Sequence, residues 1–148
     1  MGVKAFVDTN VLLRALLTDI EFHTEADALL KRMWSEDVEL WISGQVIREF
    51  IVQATHPKTL KVPLTREEVI AEVRAIKPLF HVADETQSER EKLLELLATY
   101  LTHGKQVHDM NIVATMLAND IDTLLTLNID DFKRYADKIT LISPLDVR

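Results

Sequence analysis

The chain has 148 residues, 47% hydrophobic and 28% charged, which is typical of a globular protein with a substantial core. It contains no cysteine, which excludes disulfide bonds and thiolate metal sites, and no apolar run approaches the roughly 18 residues that span a bilayer. The formal net charge of −7 is unusual for a protein that binds nucleic acid through a broadly basic face, and it suits a basic protein partner equally well.

The N-terminal segment joins an apolar run, residues 3–7, to the polar residues Asp8, Thr9 and Asn10. Such a run predicts a strand covered on both faces of a parallel sheet, and the apolar spacing after Asn10 turns helical. Asp8 therefore falls where a strand ends and a helix begins, the position at which open α/β sheets bind ligands. A carboxylate held there needs a partner, most simply a metal ion, although these polar residues could instead only cap the helix.

Strands alternate with helices along the rest of the chain. The apolar periodicity predicts strands at 39–42, 79–83, 123–127 and 139–142, and helices at 21–35, 44–54, 66–76, 84–104 and 108–117, with an exposed loop at 55–65. This alternation predicts an α/β fold in which a parallel sheet of about five strands lies between helical layers. We expect a single domain over residues 1–148 and, because no signal peptide is recognisable, a cytoplasmic location.

Two of these helices carry an acidic residue beside a buried face. Glu49 flanks the apolar stripe expected of its helix, which comprises Val46, Ile47, Phe50, Ile51 and Ala54, and it could equally be a solvated glutamate at the rim. Asp109 lies on the same face as the apolar positions 112, 113, 116 and 117, which a merely solvated acid would avoid. Its neighbour His108 is expected at most to support a site.

Two further segments give expectations about packing only. The helix at 84–104 is expected to be amphipathic, with an apolar face that includes Leu93, Leu94, Leu97 and Leu101. His81, within the third strand, is expected to be a core or sheet histidine. Neither segment suggests a reactive group.

A fourth acid follows the predicted fourth strand, where Asp130 and Asp131 precede Phe132. Because the carboxyl ends of parallel strands meet at one edge of the sheet, four acids could share a crevice there: Asp8, Glu49, Asp109 and Asp131. Carboxylates that close repel one another unless a divalent cation neutralises them, and ligand sets made only of oxygen favour Mg²⁺ or Mn²⁺ over zinc. Such sites typically carry out metal-assisted phosphoryl transfer.

Four segments of the sequence resemble the PIN-domain ribonucleases, specifically the VapC-like toxins of prokaryotic toxin–antitoxin pairs. They are residues 7–14 (VDTNVLLR), 45–50 (QVIREF), 108–114 (HDMNIVA) and 126–132 (TLNIDDF), and together they extend over nearly the whole chain. Each is weak alone, but their order and spacing are fairly specific. The resemblance implies a three-layer α/β/α sandwich.

The resemblance also implies which residues form the site. Metal-binding roles fall on Asp8, Glu49, Asp109 and Asp131, with supporting roles for Asn10, Thr126 and Asn128. Because Asn128 stands where some relatives have an aspartate, Asp131 is our choice for the fourth acid and Asp130 is the reserve.

The activity implied is hydrolysis of RNA phosphodiester bonds by water activated by one or two Mg²⁺ or Mn²⁺ ions, with a 5′-phosphate product. The resemblance further implies a homodimer, and inhibition by a small basic antitoxin whose tail occupies the acidic groove. Candidate phosphate contacts are Arg14, Lys58, Lys61 and Lys105, although each could be ordinary surface charge.

Three alternatives remain open to different degrees. A catalytically silent PIN fold could act only as a binding protein. An aspartyl-phosphate enzyme or receiver would also place an acid after a parallel strand, but Asn10 stands where haloacid-dehalogenase-type phosphatases carry their second acid, and no lysine lies in residues 139–144. A dinucleotide-binding fold is disfavoured because the only glycines are Gly2, Gly44 and Gly104.

Overall fold

The computed structural model describes residues 2–146, in which a parallel sheet lies between layers of helices as a three-layer α/β/α sandwich. The strands are β1 (Lys4–Val7), β2 (Glu39–Ser43), β3 (His81–Ala83), β4 (Thr123–Leu125) and β5 (Thr140–Ile142). The α-helices of this part of the chain are α1 (Thr9–Leu16), α2 (His23–Ser35), α3 (Gly44–Ala54), α4 (Arg66–Ile76), α5 (Gln87–Thr99), α6 (Gln106–Ala118) and α7 (Ile129–Phe132). Short 3₁₀ turns follow at Lys133–Tyr135 and Pro144–Asp146.

The strand order is β3-β2-β1-β4-β5, and every neighbouring pair is parallel. The central strand is β1, whose Phe6 lies opposite Trp41 of β2 on one side and Leu124 of β4 on the other. The chain winds first to one side of β1 and then to the other, so the strand order reverses there and a crevice opens beyond its carboxyl end. The predicted fold class is confirmed, and Asp8 lies at this crevice.

The hydrophobic core fixes the shape of the crevice, because its side chains pack the helices against the sheet next to the crevice. Its fully buried side chains include Phe6, Leu12, Leu29, Leu40, Ile42, Phe50, Met110, Ile112, Met116 and Phe132. Each apolar side chain of this size contributes about 1.5–3 kcal/mol relative to exposure. In addition, α1 packs against α2 and α3, while α5 packs against α6. No helix within residues 2–146 has the length and apolarity to cross a membrane.

Two strands are shorter than predicted, and the hydrogen bonds give the reason. The predicted strand at 79–83 begins only at His81, because the N–H groups of Leu79 and Phe80 donate to Ile76 O and complete the last turn of α4 (2.9 and 3.1 Å). The predicted strand at 123–127 ends at Leu125, because the N–H of Leu127 donates to the side chain of Asn10. Hydrogen bonds of the site therefore replace the sheet ladder there.

The apolar face predicted for residues 84–104 is correct for Leu93 and wrong for Leu94, Leu97 and Leu101. The helix begins at Gln87, because Thr86 Oγ1 caps it by accepting from Glu89 N, and it ends at Thr99. The side chains that turn inward, Glu89, Leu93 and Leu96, follow a spacing of i, i+4, i+7, which defines one helix face. Leu94 and Leu97 lie on an adjacent face and are exposed, and Leu101 lies beyond the end of the helix and is exposed as well.

Two further side chains, those of Ile51 and His81, are exposed. Ile51, expected on the buried face of α3, is 37% exposed, so the buried stripe of that helix is narrower than predicted. His81 belongs to the sheet but not to the core: it is exposed and stacks on Trp41 of β2 at a ring separation of 5.0 Å.

Candidate active site

Asp8 is held rigidly at the carboxyl end of β1. Its side chain is only 6% exposed; Oδ1 accepts a hydrogen bond from Thr9 N (2.8 Å), and Oδ2 accepts from Thr126 Oγ1 (2.7 Å) and Asn10 Nδ2 (3.2 Å). Its own N–H donates to Leu125 O (3.0 Å), which ties it to β4. Asp8 therefore caps α1 and also belongs to the site, so the two interpretations offered by the sequence are not exclusive.

Burial makes the charge of Asp8 costly. Desolvation raises the pKa of its carboxyl from 3.8 to about 6, and repulsion from Asp109 and Glu49 adds to this, while the hydrogen bonds from Thr126 and Thr9 lower it. At neutral pH the group is mainly ionised, in surroundings that disfavour its charge. A cation bound beside Asp8 would remove this penalty.

Glu49 faces the same cavity from α3, and its two carboxylate oxygens have separate donors. Thr9 Oγ1 donates to Oε1 (2.8 Å), and Gln45 Nε2 donates to Oε2 (3.3 Å). Gln45 is buried and also bridges to α6, because its Nε2 donates to His108 O (2.9 Å) and its Oε1 accepts from Asn111 Nδ2 (2.8 Å). The position of Glu49 is thus fixed relative to α1 and α6 together.

Asp109 lies half-buried in the first turn of α6. Desolvation raises the pKa of its carboxyl to about 6, with repulsion from Asp131 and Glu49 in the same direction and attraction from His108 opposing it. This coupling links Asp109 to acids on α3 and α7. His108 itself is exposed and acts on the site through its charge and its backbone carbonyl.

The two adjacent acids of α7 face different surroundings. Asp131 is exposed but close enough to Asp109 to influence its pKa. Asp130 is 93% exposed at its side chain and forms an ion pair with Lys133 (3.3 Å). This difference favours Asp131 over Asp130 as the fourth acid.

Two neighbouring cavities contain these acids. The larger, about 420 Å³, is lined by Asp8, Glu49 and Asp109 together with Asn10 and Asn128. The smaller, about 120 Å³, is lined by Asp109, Asp130 and Asp131 together with Gln106, Arg134 and Tyr135. Because Asp109 lines both, the structure brings all four predicted acids to one continuous edge, with Asp131 at its outer end.

The predicted supporting residues act mainly on Asp8. Thr126 lies fully buried beneath Asp8 and, besides donating to it, accepts from Asn128 N (3.0 Å). Asn10 donates to Asp8 and accepts from Leu127 N (3.1 Å), while Asn128 contributes an exposed side chain to the cavity wall. Of the candidate phosphate contacts, Arg14 lines the larger cavity, whereas Lys58, Lys61 and Lys105 are exposed residues outside both cavities.

The sequence reasoning missed several residues that hold the site. Thr9 and Gln45 fix Glu49, and Asn111 fixes Gln45, yet the sequence suggested no role for Gln45 or Asn111 and only helix capping for Thr9. A signal existed for Gln45, since it precedes Glu49 by four residues and so shares its helix face. No local pattern indicated Arg134, which reaches the smaller cavity from the 3₁₀ turn after α7.

The chemistry of the donor set fits a hard divalent cation. The cavity walls offer carboxylate, hydroxyl and amide oxygens, which are the ligands that Mg²⁺ and Mn²⁺ prefer. Repulsion from neighbouring acids contributes to the raised pKa of Asp8 and of Asp109, although no three His, Cys, Asp or Glu side chains within residues 2–146 converge closely enough to enclose an ion. Binding would therefore draw these side chains together.

The parallel sheet and the acidic residues at its edge agree with what comparisons to known proteins show. The PIN domain profile matches residues 5–138, and the chain therefore belongs to the PIN domain family. The resemblance noted in the sequence is thus confirmed, and the family favours a nuclease over the receiver-type alternative. No curated protein matches the chain significantly by sequence.

Solved structures share the fold at low identity. VapBC-1 from nontypeable Haemophilus influenzae is 15% identical, with a TM-score of 0.72 over 97% of this chain and 100% of that one. VapBC2 from Rickettsia felis, bound to a promoter DNA fragment, is 19% identical, with a TM-score of 0.68 over 95% and 98%. VapC20 from Mycobacterium tuberculosis, a toxin that cleaves the sarcin–ricin loop, is 18% identical, with a TM-score of 0.64 over 88% and 94%.

Proposed function

We propose that this PIN-domain protein is a metal-dependent endoribonuclease that hydrolyses RNA phosphodiester bonds and serves as the toxin of a toxin–antitoxin pair. The observation that carries the proposal is the convergence of Asp8, Glu49 and Asp109 on one cavity, where burial and mutual repulsion hold two of them at a pKa of about 6. Such an arrangement is costly unless it serves to bind a cation.

Mg²⁺ or Mn²⁺, held by Asp8, Glu49, Asp109 and Asp131, would activate water and stabilise the charge on the leaving oxygen. The chain's own residues supply the fixed geometry. Thr126 and Thr9 hold the two oxygens of Asp8, and Thr9 also holds Glu49, so a single hydroxyl-bearing residue links two of the acids. This restricts both carboxylates before any substrate arrives, which lowers the cost of reorganisation during the reaction.

RNA as the substrate is supported by the similar fold of a toxin that cleaves the sarcin–ricin loop. An antitoxin partner is supported by the toxin–antitoxin complexes among the similar structures, including FitAB bound to DNA and a complex from Klebsiella pneumoniae. We infer in addition that the protein forms a homodimer, as the family resemblance implies.

The antitoxin is expected to insert an arginine into the acidic cavity in place of the cation. A guanidinium pairs with carboxylates through two parallel hydrogen bonds, which a lysine cannot reproduce. Inhibition should therefore weaken as the Mg²⁺ concentration rises, and also in Asp8→Asn, which lacks one anchor. Inhibition that is indifferent to both would mean that the antitoxin acts elsewhere.

The nuclease proposal is tested with purified protein and a mixed RNA substrate. Cleavage should require Mg²⁺ or Mn²⁺, stop with excess chelator, and disappear in Asp8→Asn. Asp122→Asn is the matched control, because Asp122 is an exposed aspartate just before β4, at the opposite edge of the same sheet. Cleavage that survives exhaustive chelation, or that Asp8→Asn retains, contradicts the proposal.

A catalytically silent binding protein is the second candidate. It is favoured by the observation that no three acidic or histidine side chains of residues 2–146 converge on a point. On that account the acids serve only to bind a basic partner, so the wild type would bind the antitoxin but cleave no RNA with any divalent cation.

A further inference from the structure

Two arginines border the acidic cavities without pairing to any acid. Arg14 lines the larger cavity and Arg134 the smaller one, on either side of Asp109, which lines both. Among residues 2–146, neither guanidinium lies within 4.0 Å of a carboxylate. Arginines this close to three or four carboxylates ordinarily pair with them, so their unpaired state calls for an explanation.

Arg14, in the last turn of α1, is partly buried with spare hydrogen-bonding capacity. Its Nη1 donates to Asn10 O (2.9 Å), but its buried Nε has no hydrogen-bond partner within the described residues. Burial lowers its pKa, and attraction from Glu21 only partly offsets this. Arg14 therefore has a donor that none of the described residues satisfies, at the wall of the larger cavity.

Part of the wall of the larger cavity is uncharged. It consists of Leu13, Val52, Gln53 and Thr59, and Thr59 Oγ1 donates to Gln53 Oε1 (2.6 Å). No acid other than those already described lines this cavity. Arg14 is thus the one cation among the described residues that line this cavity, and the group there that can attract an anion.

Arg134 is held rigidly at the other end. Its guanidinium lies 5.7 Å from the ring centre of Tyr100 and 5.5 Å from that of Tyr135, and Nη2 donates to Leu101 O. Stacking against aromatic rings fixes the plane of an arginine while leaving other N–H groups free. Arg134 is thus a pre-positioned cation beside Asp109 and Asp131.

We propose that Arg14 and Arg134 bind the two phosphates that flank the scissile phosphate of a single RNA strand. The strand would then cross the acids from the end of α1 to the turn after α7. This inference rests on the proposed nuclease function and adds to it the path of the substrate. It also explains how a chain of net charge −7 holds RNA: the cations are confined to two points at the acidic cavities rather than spread over a basic face.

Each arginine has a structural alternative. Arg134 could serve only as a counter-ion for the acids that line the smaller cavity, and Arg14 could serve only to balance Glu21. In the first case, loss of Arg134 would make the acid cluster more negative and tighten Mn²⁺ binding. In the second, loss of Glu21 would change activity as much as loss of Arg14.

The test compares Arg14→Gln and Arg134→Gln with Arg74→Gln, a control on the exposed side of α4. Steady-state cleavage of a short single-stranded RNA is measured at several salt concentrations. Each site variant should raise KM about tenfold while changing kcat less than about threefold, since a flanking phosphate contact is made equally in the ground and transition states. The dependence of log(kcat/KM) on log[salt] should flatten by about 0.7 for each lost phosphate contact.

Further variants separate the outcomes. Arg134→Lys keeps the charge and should recover part of the affinity, which guards against a simple loss of packing on Tyr100 and Tyr135. If the variants match Arg74→Gln in both KM and salt dependence, the clamp is wrong. If Arg134→Gln instead tightens Mn²⁺ binding without altering salt dependence, or Glu21→Gln reproduces Arg14→Gln, the structural roles stand in its place. If the wild type neither binds nor cleaves RNA, the proposed function itself fails.

Discussion

The two ends of the acidic edge are built differently. At the inner end, Asp8 is buried and receives hydrogen bonds from Thr9, Thr126 and Asn10. At the outer end, Asp131 is exposed on the short helix α7, and no side-chain hydrogen bond among the described residues holds it. The inner end is fixed by the core, whereas the outer end is free to adjust.

This difference suggests how the work is divided. A rigid, desolvated carboxylate favours binding of a cation, because its charge is destabilised by burial and the side chain cannot move to solvent. An exposed carboxylate on a single helical turn has a small desolvation penalty. It can move toward an ion after the ion has bound. The inner acids should therefore dominate affinity and rate, and the outer acid should refine them.

The largest expected effect breaks the inner end. Asp8→Asn should lower RNA cleavage by roughly three orders of magnitude, since a lost metal ligand removes several kcal/mol of charge stabilisation and each 1.36 kcal/mol is tenfold. Asp109→Asn should have a similar effect. Single-turnover cleavage at saturating Mn²⁺ measures both, with Asp122→Asn as control, and unfolding of either variant would show that these acids are structural.

The outer end is tested by its two adjacent aspartates. Asp131→Asn should lower cleavage about ten- to hundredfold, as expected for a group that tunes a metal site. Asp130→Asn should change it less than about twofold, because Asp130 points to solvent and pairs with Lys133, an exposed ion pair of little energetic value. The same cleavage assay compares them directly; the assignment is reversed if Asp130→Asn proves the more damaging.

A subtler change weakens the inner end without removing a charge. Thr126→Val deletes the hydroxyl that donates to Asp8 Oδ2, and since this hydrogen bond lowers the pKa of Asp8, that pKa should rise above about 6. Activity should fall about tenfold near pH 6 and recover toward pH 8, with Thr126→Ser behaving like the wild type. A pH–rate profile measures this shift, and a uniform loss at every pH would assign Thr126 a packing role instead.

The smallest expected effect concerns stability in the absence of metal. Asp8 has a pKa of about 6 in the folded protein and 3.8 as its reference value, so the folded state binds its proton more tightly. Stability should therefore fall as the pH rises from about 4 to about 6, by about 3 kcal/mol at most for this group, and stay at the lower level above that range. Asp8→Asn should remove the contribution of this group and leave that of Asp109, whose pKa is also about 6. Urea unfolding of both proteins at pH 5 and pH 7.5, with chelator present, checks it.

The fold was largely predictable because strand and helix periodicities agree with each other along the chain. Residues 3–7 read as a central strand, and the structure places β1 there between β2 and β4. The apolar face of α5 was not predictable, because leucines occupy two adjacent faces and only tertiary packing selects the one with Leu96. The early end of β4 likewise depends on a hydrogen bond between distant segments, from Leu127 N to Asn10, whereas the late start of β3 follows from local hydrogen bonds to Ile76 O.

The site divides in the same way. The position of Asp8 follows from local sequence alone, since a polar residue directly after a buried parallel strand lies at the carboxyl end of the sheet. The roles of Gln45 and Arg134 do not follow from local sequence. Gln45 contacts His108, 63 positions away, and Arg134 lies against Tyr100, which packs on Tyr135. Local patterns therefore locate the acids, and the tertiary structure supplies what holds them.

The most direct test of the account is whether a divalent cation stabilises the protein through Asp8. Thermal unfolding of the wild type and of Asp8→Asn is measured at pH 7.5 with chelator and with increasing Mn²⁺. The account predicts that Asp8→Asn is at least as stable as the wild type in chelator, because a costly buried charge is gone. Mn²⁺ at 100 times its Kd should then stabilise the wild type by about 2.7 kcal/mol and leave Asp8→Asn almost unchanged. Equal stabilisation of both proteins, or none of the wild type, would contradict a metal centre at this edge of the sheet.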